Sequence, residues 1–187
     1  MKRLFLLQIV WIVCLAFGQT DSVGIYAEQD GKLQLLEPLN FSRTKINALG
    51  SALSYGIAST KLKYEYAGAT SPFQLSSPAK FRIMFGNVPP TKLQRYYMFA
   101  PSYSVRDFSV ARLDVKKKKR LLTGGKVSIW GGTSFGAEQD DDIIIKADKV
   151  REGVYDLTVT AEAGEYCFFF SLNGTGAYNT VFDFTIK

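Results

Sequence analysis

Apolar and polar residues alternate along much of this chain, and a period of two is typical of β-strands. In the segment 61–66, Leu62, Tyr64 and Tyr66 occupy alternate positions, so they share one face of the predicted strand. The segment 80–85 repeats the pattern. Further segments of this kind, bounded by Gly, Pro, Asn, Asp or Ser, are 23–27, 33–36, 104–122, 126–130, 143–145, 154–160, 165–170 and 181–186.

Two of the links between these segments predict hairpins. Asp30 and Gly31 form a pair that suits a two-residue hairpin turn, because both turn positions require a positive φ. The link 161–164 contains glycine and joins 154–160 to 165–170, which predicts a second hairpin near the C-terminus.

Three other local patterns predict irregular or buried structure. Apolar residues within 104–122 change parity near Ala111 and Arg112, which predicts a β-bulge. The segment 123–125 is Thr-Gly-Gly and predicts a tight turn. The run 143–145 consists of three isoleucines and predicts a strand that is buried on both faces.

The segment 165–170 is the most apolar of the predicted strands. Tyr166, Phe168 and Phe170 alternate, so they are expected to form one face of a central strand in the core. Cys167 and Phe169 point to the opposite face. If that face is also covered, Cys167 is an inert buried thiol.

Only the segment 46–59 is rich in helix-forming residues, and Gly50 and Gly56 interrupt it. We therefore predict strand and loop there. About ten short strands without a convincing helix predict an all-β fold. The expected architecture is an antiparallel β-sandwich, immunoglobulin-like or jelly-roll-like, and the alternative is a partly closed β-barrel.

The N-terminus has the layout of a secretory signal peptide. Lys2 and Arg3 precede an apolar run of 14 residues that ends at Phe17, and the small residue Gly18 follows. That run is shorter than the ~20 residues that a membrane-spanning helix needs. We predict that residues 1–18 are removed and that 19–187 form a single β-sandwich domain without a transmembrane span.

Two other roles for this segment are less well supported by the residues. An uncleaved anchor would need a longer apolar run. A lipoprotein signal would need a small residue before Cys14, where Ile12 and Val13 stand instead. The protein is therefore expected to be exported to the periplasm, the cell surface or the extracellular medium.

The composition restricts the possible chemistry. The sequence contains no histidine, which excludes Ser-His-Asp and Cys-His catalysis and the usual zinc sites. Cys167 is the only cysteine after residue 18, so an internal disulfide is not expected. We expect neither a cofactor nor a metal ion.

The densest charge feature is the run Lys116, Lys117, Lys118, Lys119 and Arg120. It is a candidate anion-binding site for an acidic polymer or lipid head groups. The other interpretation is that these residues protect a strand edge or a hairpin tip from aggregation. In a strand they would be split between two faces, which favours the protective role. Binding of nucleic acid is not expected.

Acidic and aromatic residues give weaker signals for function. The acidic loop around 138–142 lacks the spacing of a calcium-binding loop. Paired carboxylates could hydrolyse glycans, although each acid in the predicted strands is expected to face outward. Those acids are Asp107, Asp114, Asp156 and Asp183. The aromatic residues that could stack on a sugar are Tyr96, Tyr97, Tyr103 and Trp130.

The segment 164–170, Gly-Glu-Tyr followed by an aromatic strand, resembles a pattern in exported proteins of Bacteroidota. These are small β-sandwich proteins, mostly without an assigned activity, so the resemblance implies a periplasmic or surface β-domain. The expected function is non-catalytic surface binding to an envelope protein or a glycan. The alternatives are a carboxylate-based glycan-active enzyme and a binder of anionic polymer or lipid through residues 116–120.

Overall fold

A computed structural model describes residues 23–46, 60–85, 105–128, 132–135, 142–172 and 175–187. Within these ranges the chain is built of β-strands, and the one helical element is a short 3-10 turn. This confirms the all-β class. The strands, numbered in chain order, are β1 (Gly24–Gln29), β2 (Lys32–Leu35), β3 (Pro38–Asn40), β4 (Arg43–Ile46), β5 (Thr60–Ala67), β6 (Gln74–Leu75), β7 (Ala79–Met84), β8 (Phe108–Lys116), β9 (Lys119–Ser128), β10 (Gly132–Phe135), β11 (Ile144–Arg151), β12 (Val154–Thr160), β13 (Gly164–Leu172) and β14 (Thr175–Ile186).

The strands form two sheets. The five-stranded sheet has the order β11-β12-β7-β1-β2, and all of its neighbours are antiparallel. The nine-stranded sheet has the order β3-β14-β13-β8-β9-β5-β4, with β10 beside β9 and the short β6 parallel to β14. This larger sheet is curled into a half-barrel. The fold is thus the predicted all-β sandwich, with one sheet curved as in the partly closed barrel.

The first core cluster fills the space between the two sheets. Phe81 of the five-stranded sheet packs with its ring centroid 4.9 Å from that of Phe168 and 4.7 Å from that of Phe184, both in the nine-stranded sheet. The alternation predicted for 80–85 places Ile83 and Phe85 in the same cluster. Burial of such side chains contributes about 1.5–3 kcal/mol each.

Strand β13 is buried on both faces. Tyr166, Phe168 and Phe170 belong to the first cluster, whereas Cys167 and Phe169 belong to a second cluster on the other side of the nine-stranded sheet. The curl of this sheet brings residues of separate strands together there. The second cluster consists of Tyr66, Ala111, Leu113, Leu122, Cys167, Phe169 and Val181. The prediction that Tyr166, Phe168 and Phe170 form one face of a central core strand is confirmed, and the opposite face is covered as well.

The first predicted hairpin is confirmed. Strands β1 and β2 are antiparallel, and Gln29 lies opposite Lys32 at the turn. Asp30 and Gly31 have φ values of 52° and 71°, which is the left-handed region that this turn requires.

The second predicted hairpin is wrong. Strand β12 pairs with β11 and β7 in the five-stranded sheet, whereas β13 pairs with β14 and β8 in the nine-stranded sheet. The link 161–163 therefore crosses from one sheet to the other. Both strands still bury an apolar face in the same core, because Leu157 and Val159 belong to the first core cluster together with Tyr166 and Phe168.

The predicted bulge at Ala111 and Arg112 is also wrong. The pairing of β8 with β13 runs without a shift from Phe108 to Leu113. The parity of the apolar residues changes because β8 is covered on both faces. Val110 lies in the first cluster, whereas Ala111 and Leu113 lie in the second.

The tight turn predicted at 123–125 does not form. Strand β9 continues through this segment, with Leu62 opposite Gly125 and Lys63 opposite Thr123. Gly124 is the extra residue of a bulge, so the glycines bend the strand instead of reversing it.

Several predictions lie outside the described residues: the signal peptide at 1–18, nearly all of 46–59, and the candidate sugar-stacking residues Tyr96, Tyr97, Tyr103 and Trp130. In the part of the chain that the structure describes, no helix has the length and apolar character required to cross a membrane.

Candidate functional site

The basic run forms the tip of the hairpin between β8 and β9. Lys116 ends β8 and lies opposite Lys119, the first residue of β9, and Lys117 and Lys118 form the turn. Lys117 has a φ of 58°, which lets the chain reverse in two residues. Both strands are interior members of the nine-stranded sheet, so the run lies at a hairpin tip and not along a sheet edge.

The five basic side chains do not form a common surface. Lys116, Lys117 and Lys118 are exposed. Lys119 is half-buried, and its ammonium group binds the carboxylate of Glu65. Arg120 is only 2% exposed. An anion could therefore contact three lysines at the tip, and Arg120 is not available to it.

Arg120 instead holds two buried carboxylates. Its Nη1 donates hydrogen bonds to Oε2 of Glu165, at 3.2 Å, and to Oδ2 of Asp183. Its Nη2 donates to the carbonyl oxygen of Ala67 at 3.2 Å. Sequence reasoning expected Asp183 to face outward, and this was wrong, because Asp183 is 5% exposed.

Further hydrogen bonds stabilise the two carboxylates of this buried ionic cluster, which consists of Arg120, Glu165 and Asp183. The backbone N–H of Ser71 donates to Glu165 at 2.9 Å, and the Ser71 hydroxyl donates to the carbonyl of Asp183 at 3.0 Å. The Thr185 hydroxyl donates to the other oxygen of Glu165 at 2.7 Å. Buried charges are tolerated only when they are paired and hydrogen-bonded in this way.

The buried ionic cluster lies at one end of the second core cluster. Each of its three charged residues lies two positions along its own strand from an apolar residue of the second core cluster. For Arg120, Glu165 and Asp183 these apolar residues are Leu122, Cys167 and Val181, respectively. Two signals in the sequence could have revealed it. Arg120 is the one arginine in a lysine run, and Glu165 and Asp183 are in phase with buried apolar residues.

The burial of Glu165 and Asp183 bears on whether these two acids could hydrolyse a glycan. Glu165 and Asp183 are both 5% exposed and are held by the same guanidinium, so an external glycan cannot contact them. The half-exposed Asp156 is bound by both Nε and Nη2 of Arg82, at 2.6 and 2.9 Å. This ion pair lowers the pKa of the Asp156 carboxyl. These acids therefore act as partners of arginine.

Two other chemical roles considered from the sequence were a reactive thiol at Cys167 and metal binding by the acidic loop. Cys167 is fully buried in the second core cluster, and its burial raises the pKa of the thiol well above the ordinary value. This matches the environment of an inert thiol.

Of the acidic loop only Asp142 is described, and the described residues contain no group of three metal-ligating side chains.

Strand β11 differs most from its sequence prediction. The isoleucines of 143–145 were expected to be buried on both faces, but Ile144 is 54% exposed and Ile145 is 40% exposed. Only Ile143 is partly buried against the first core cluster. The reason is topological: β11 is an edge strand of the five-stranded sheet, and every one of its residues is exposed.

The edge of β11 is thus apolar, and within the described ranges it is an outer edge of its sheet. Among the described residues no strand pairs with β11 on the side away from β12. Backbone donors and acceptors at such a sheet edge can pair with another strand. Lys146 and Asp148 flank Ala147, Lys149 follows Asp148 directly, and the register against β12 shifts near Val150. Exposed apolar residues next to an open sheet edge are typical of a strand-addition surface.

Comparison of the chain with protein-family models, with curated proteins and with solved structures found no match in any of the three.

Proposed function

We propose that this protein is a non-catalytic exported β-domain that acts by binding a protein through the open edge of strand β11. The observation that carries this proposal is the combination of a backbone edge that no described strand covers with Ile144 and Ile145, which are 54% and 40% exposed. A strand of another protein satisfies the backbone groups and covers the apolar side chains together. A glycan would pair with fewer of the backbone groups and would cover less of the apolar side chains.

The other charged features support binding over catalysis. The buried acids are partners of Arg120, and the tip lysines are separated from the buried arginine of the same run. Export is proposed on the basis of residues 1–18 alone. Mass spectrometry of the secreted protein should find an N-terminus at or near Gln19, whereas an intact Met1 or a lipidated Cys14 would contradict export by this route.

The binding proposal is tested by capture from envelope extract on the immobilised protein. The variant I145K places a charge on the open edge and should abolish capture of the specific partner. The matched control is L35K, because Leu35 is 39% exposed and lies on β2, the opposite edge strand of the same sheet. Capture that survives I145K, or that is lost equally in L35K, would contradict a contact at β11. A glycan array probed in parallel reports the other ligand class.

A further inference from the structure

The exposed apolar residues of the described chain are concentrated on one strand. Of the five large hydrophobic side chains that are exposed, Ile144, Ile145 and Val150 lie on β11. The other two, Leu35 and Val115, lie on separate strands. The pattern of charges between the β11 residues then indicates which strand fits beside it.

We propose that β11 pairs antiparallel with β11 of a second copy of this chain, about a two-fold axis that passes between the two Ala147 residues. This inference rests on the proposed function, since it names the protein that occupies the β11 edge. The contact is isologous: each copy contributes the same strand, and the assembly closes as a dimer. The two five-stranded sheets then join along their β11 edges.

The side-chain pairs of this register are complementary. With Ala147 opposite Ala147, Lys146 of each copy lies opposite Asp148 of the other. This opposed pair occurs twice, so the dimer contains two opposite-charge pairs. Ile145 lies opposite Lys149, whose aliphatic stem can cover it.

Neighbouring registers lack this complementarity. A shift of one residue in one direction places Lys146 opposite Lys149, and in the other direction it places Ile145 opposite Asp148. A shift of two residues places Lys146 opposite Lys146, or Asp148 opposite Asp148. Like charges directly opposite each other are destabilising, so the charges select one register. The shift near Val150 ends the regular ladder and limits the contact to this segment.

Charge reversal tests the register directly. K146D gives a strand with carboxylates at positions 146 and 148, and D148K gives one with ammonium groups at these two positions. Each variant alone should dissociate at least about tenfold more readily than wild type, because both cross-strand pairs become repulsive. The double variant K146D/D148K should dimerise again. An equimolar mixture of the two single variants should form a heterodimer, since their charges are complementary.

Sedimentation velocity over a range of protein concentrations measures the monomer–dimer equilibrium of each variant and of the mixture. Circular dichroism checks that the variants fold, which is expected because the positions are exposed. A wild type that remains monomeric throughout would overturn the proposal. A dimer that is unaffected by K146D would overturn it as well, as would a mixture in which no heterodimer forms.

Cysteine crosslinking tests the same register independently. Opposed residues of antiparallel strands have Cα atoms about 4.5–5.5 Å apart, which a disulfide can bridge, so A147C should crosslink rapidly into dimers. K149C is the control. In this register the two copies of residue 149 are offset by four residues, or about 13 Å, which is too far for a disulfide. Equal crosslinking of both variants would overturn the register. The native Cys167 is buried and does not interfere.

The two proposals can fail separately. A monomeric wild type that still captures an envelope protein, with loss of capture in I145K, overturns self-pairing and leaves binding at β11 intact. A monomer without β11-dependent capture overturns both. A dimer that depends on Lys146 and Asp148 supports both.

Discussion

Arg120 and Asp183 form a buried ion pair that joins β9 to β14, two strands that are not neighbours in the sheet. The guanidinium also binds Glu165 of β13, so one side chain connects three strands of the half-barrel. All three residues are at most 5% exposed. The arginine at the end of an apparently solvated lysine run is therefore a structural residue.

We expect R120M to be strongly destabilising. Removal of the guanidinium leaves two carboxylates buried without their charged partner, and loss of one side of a buried ion pair costs about 3–5 kcal/mol. Urea unfolding measures this change. K118M is the matched control in the same run. Lys118 is exposed, so its replacement should change the free energy of unfolding by no more than about 0.5 kcal/mol. Equal effects of the two variants would show that Arg120 is not buried as described.

The packing of Phe168 against Phe81 and Phe184 predicts a second large effect. F168A removes a ring that is 1% exposed and should lower the free energy of unfolding by about 3–5 kcal/mol, including the cavity that it leaves. V115A is the control, because Val115 is 52% exposed on a strand of the same sheet. A urea midpoint for F168A that matches V115A would mean that β13 is not central.

The alternation of apolar residues was sufficient to predict which faces of β13 and β7 are buried. Side chains of a strand necessarily alternate, so Phe168 and Cys167 had to face opposite sides. The partner strand of β13 was not predictable in the same way. A short link such as 161–163 can reverse the chain within one sheet or cross between two sheets, and both arrangements bury Leu157 in the same core.

Cys167 is expected to resist thiol reagents in the native protein. It is fully buried, and burial raises its pKa, so very little thiolate is present at neutral or mildly alkaline pH. A maleimide reagent followed by mass spectrometry should label the protein in urea and leave the folded protein unlabelled over the same period. Rapid labelling without denaturant would show that the second core cluster is open to solvent.

Asp156 predicts a small pH dependence of stability. Its pKa lies below the ordinary value of 3.8, mainly because Arg82 donates hydrogen bonds to the carboxylate. A lowered pKa means that the ion pair stabilises the fold above the ordinary pKa and that this contribution is lost as the pH falls through the folded-state pKa. D156N should therefore lower the free energy of unfolding at pH 7 by less than about 1 kcal/mol, since the pair is partly exposed.

The check is to repeat the urea titration of wild type and D156N at decreasing pH. The difference between them should shrink as the pH falls below 3.8, because the wild-type carboxyl then becomes neutral like the amide. A difference that stays constant, or that grows in acid, would contradict the ion pair with Arg82.

The exposure of β11 could not be predicted from the sequence alone, and the sequence signals for the buried ionic cluster do not say which residues pair in it. Whether Ile144 is buried depends on the strand order, because the same run would be covered in the middle of a sheet and is open at its edge. Arg120 likewise follows four lysines along the chain, and only the curl of the sheet brings it to Asp183. Both outcomes depend on contacts that are distant in sequence.

The role of β11 as an open edge that binds a protein strand is tested most directly by amide hydrogen exchange of residues 144–150. We expect fast exchange of the outward-facing amides in dilute protein and strong protection at high concentration or with a captured partner bound. The amides of β2, at the opposite edge of the sheet, should not change. Protection of β11 that is the same at every concentration, with and without a partner, would contradict the account.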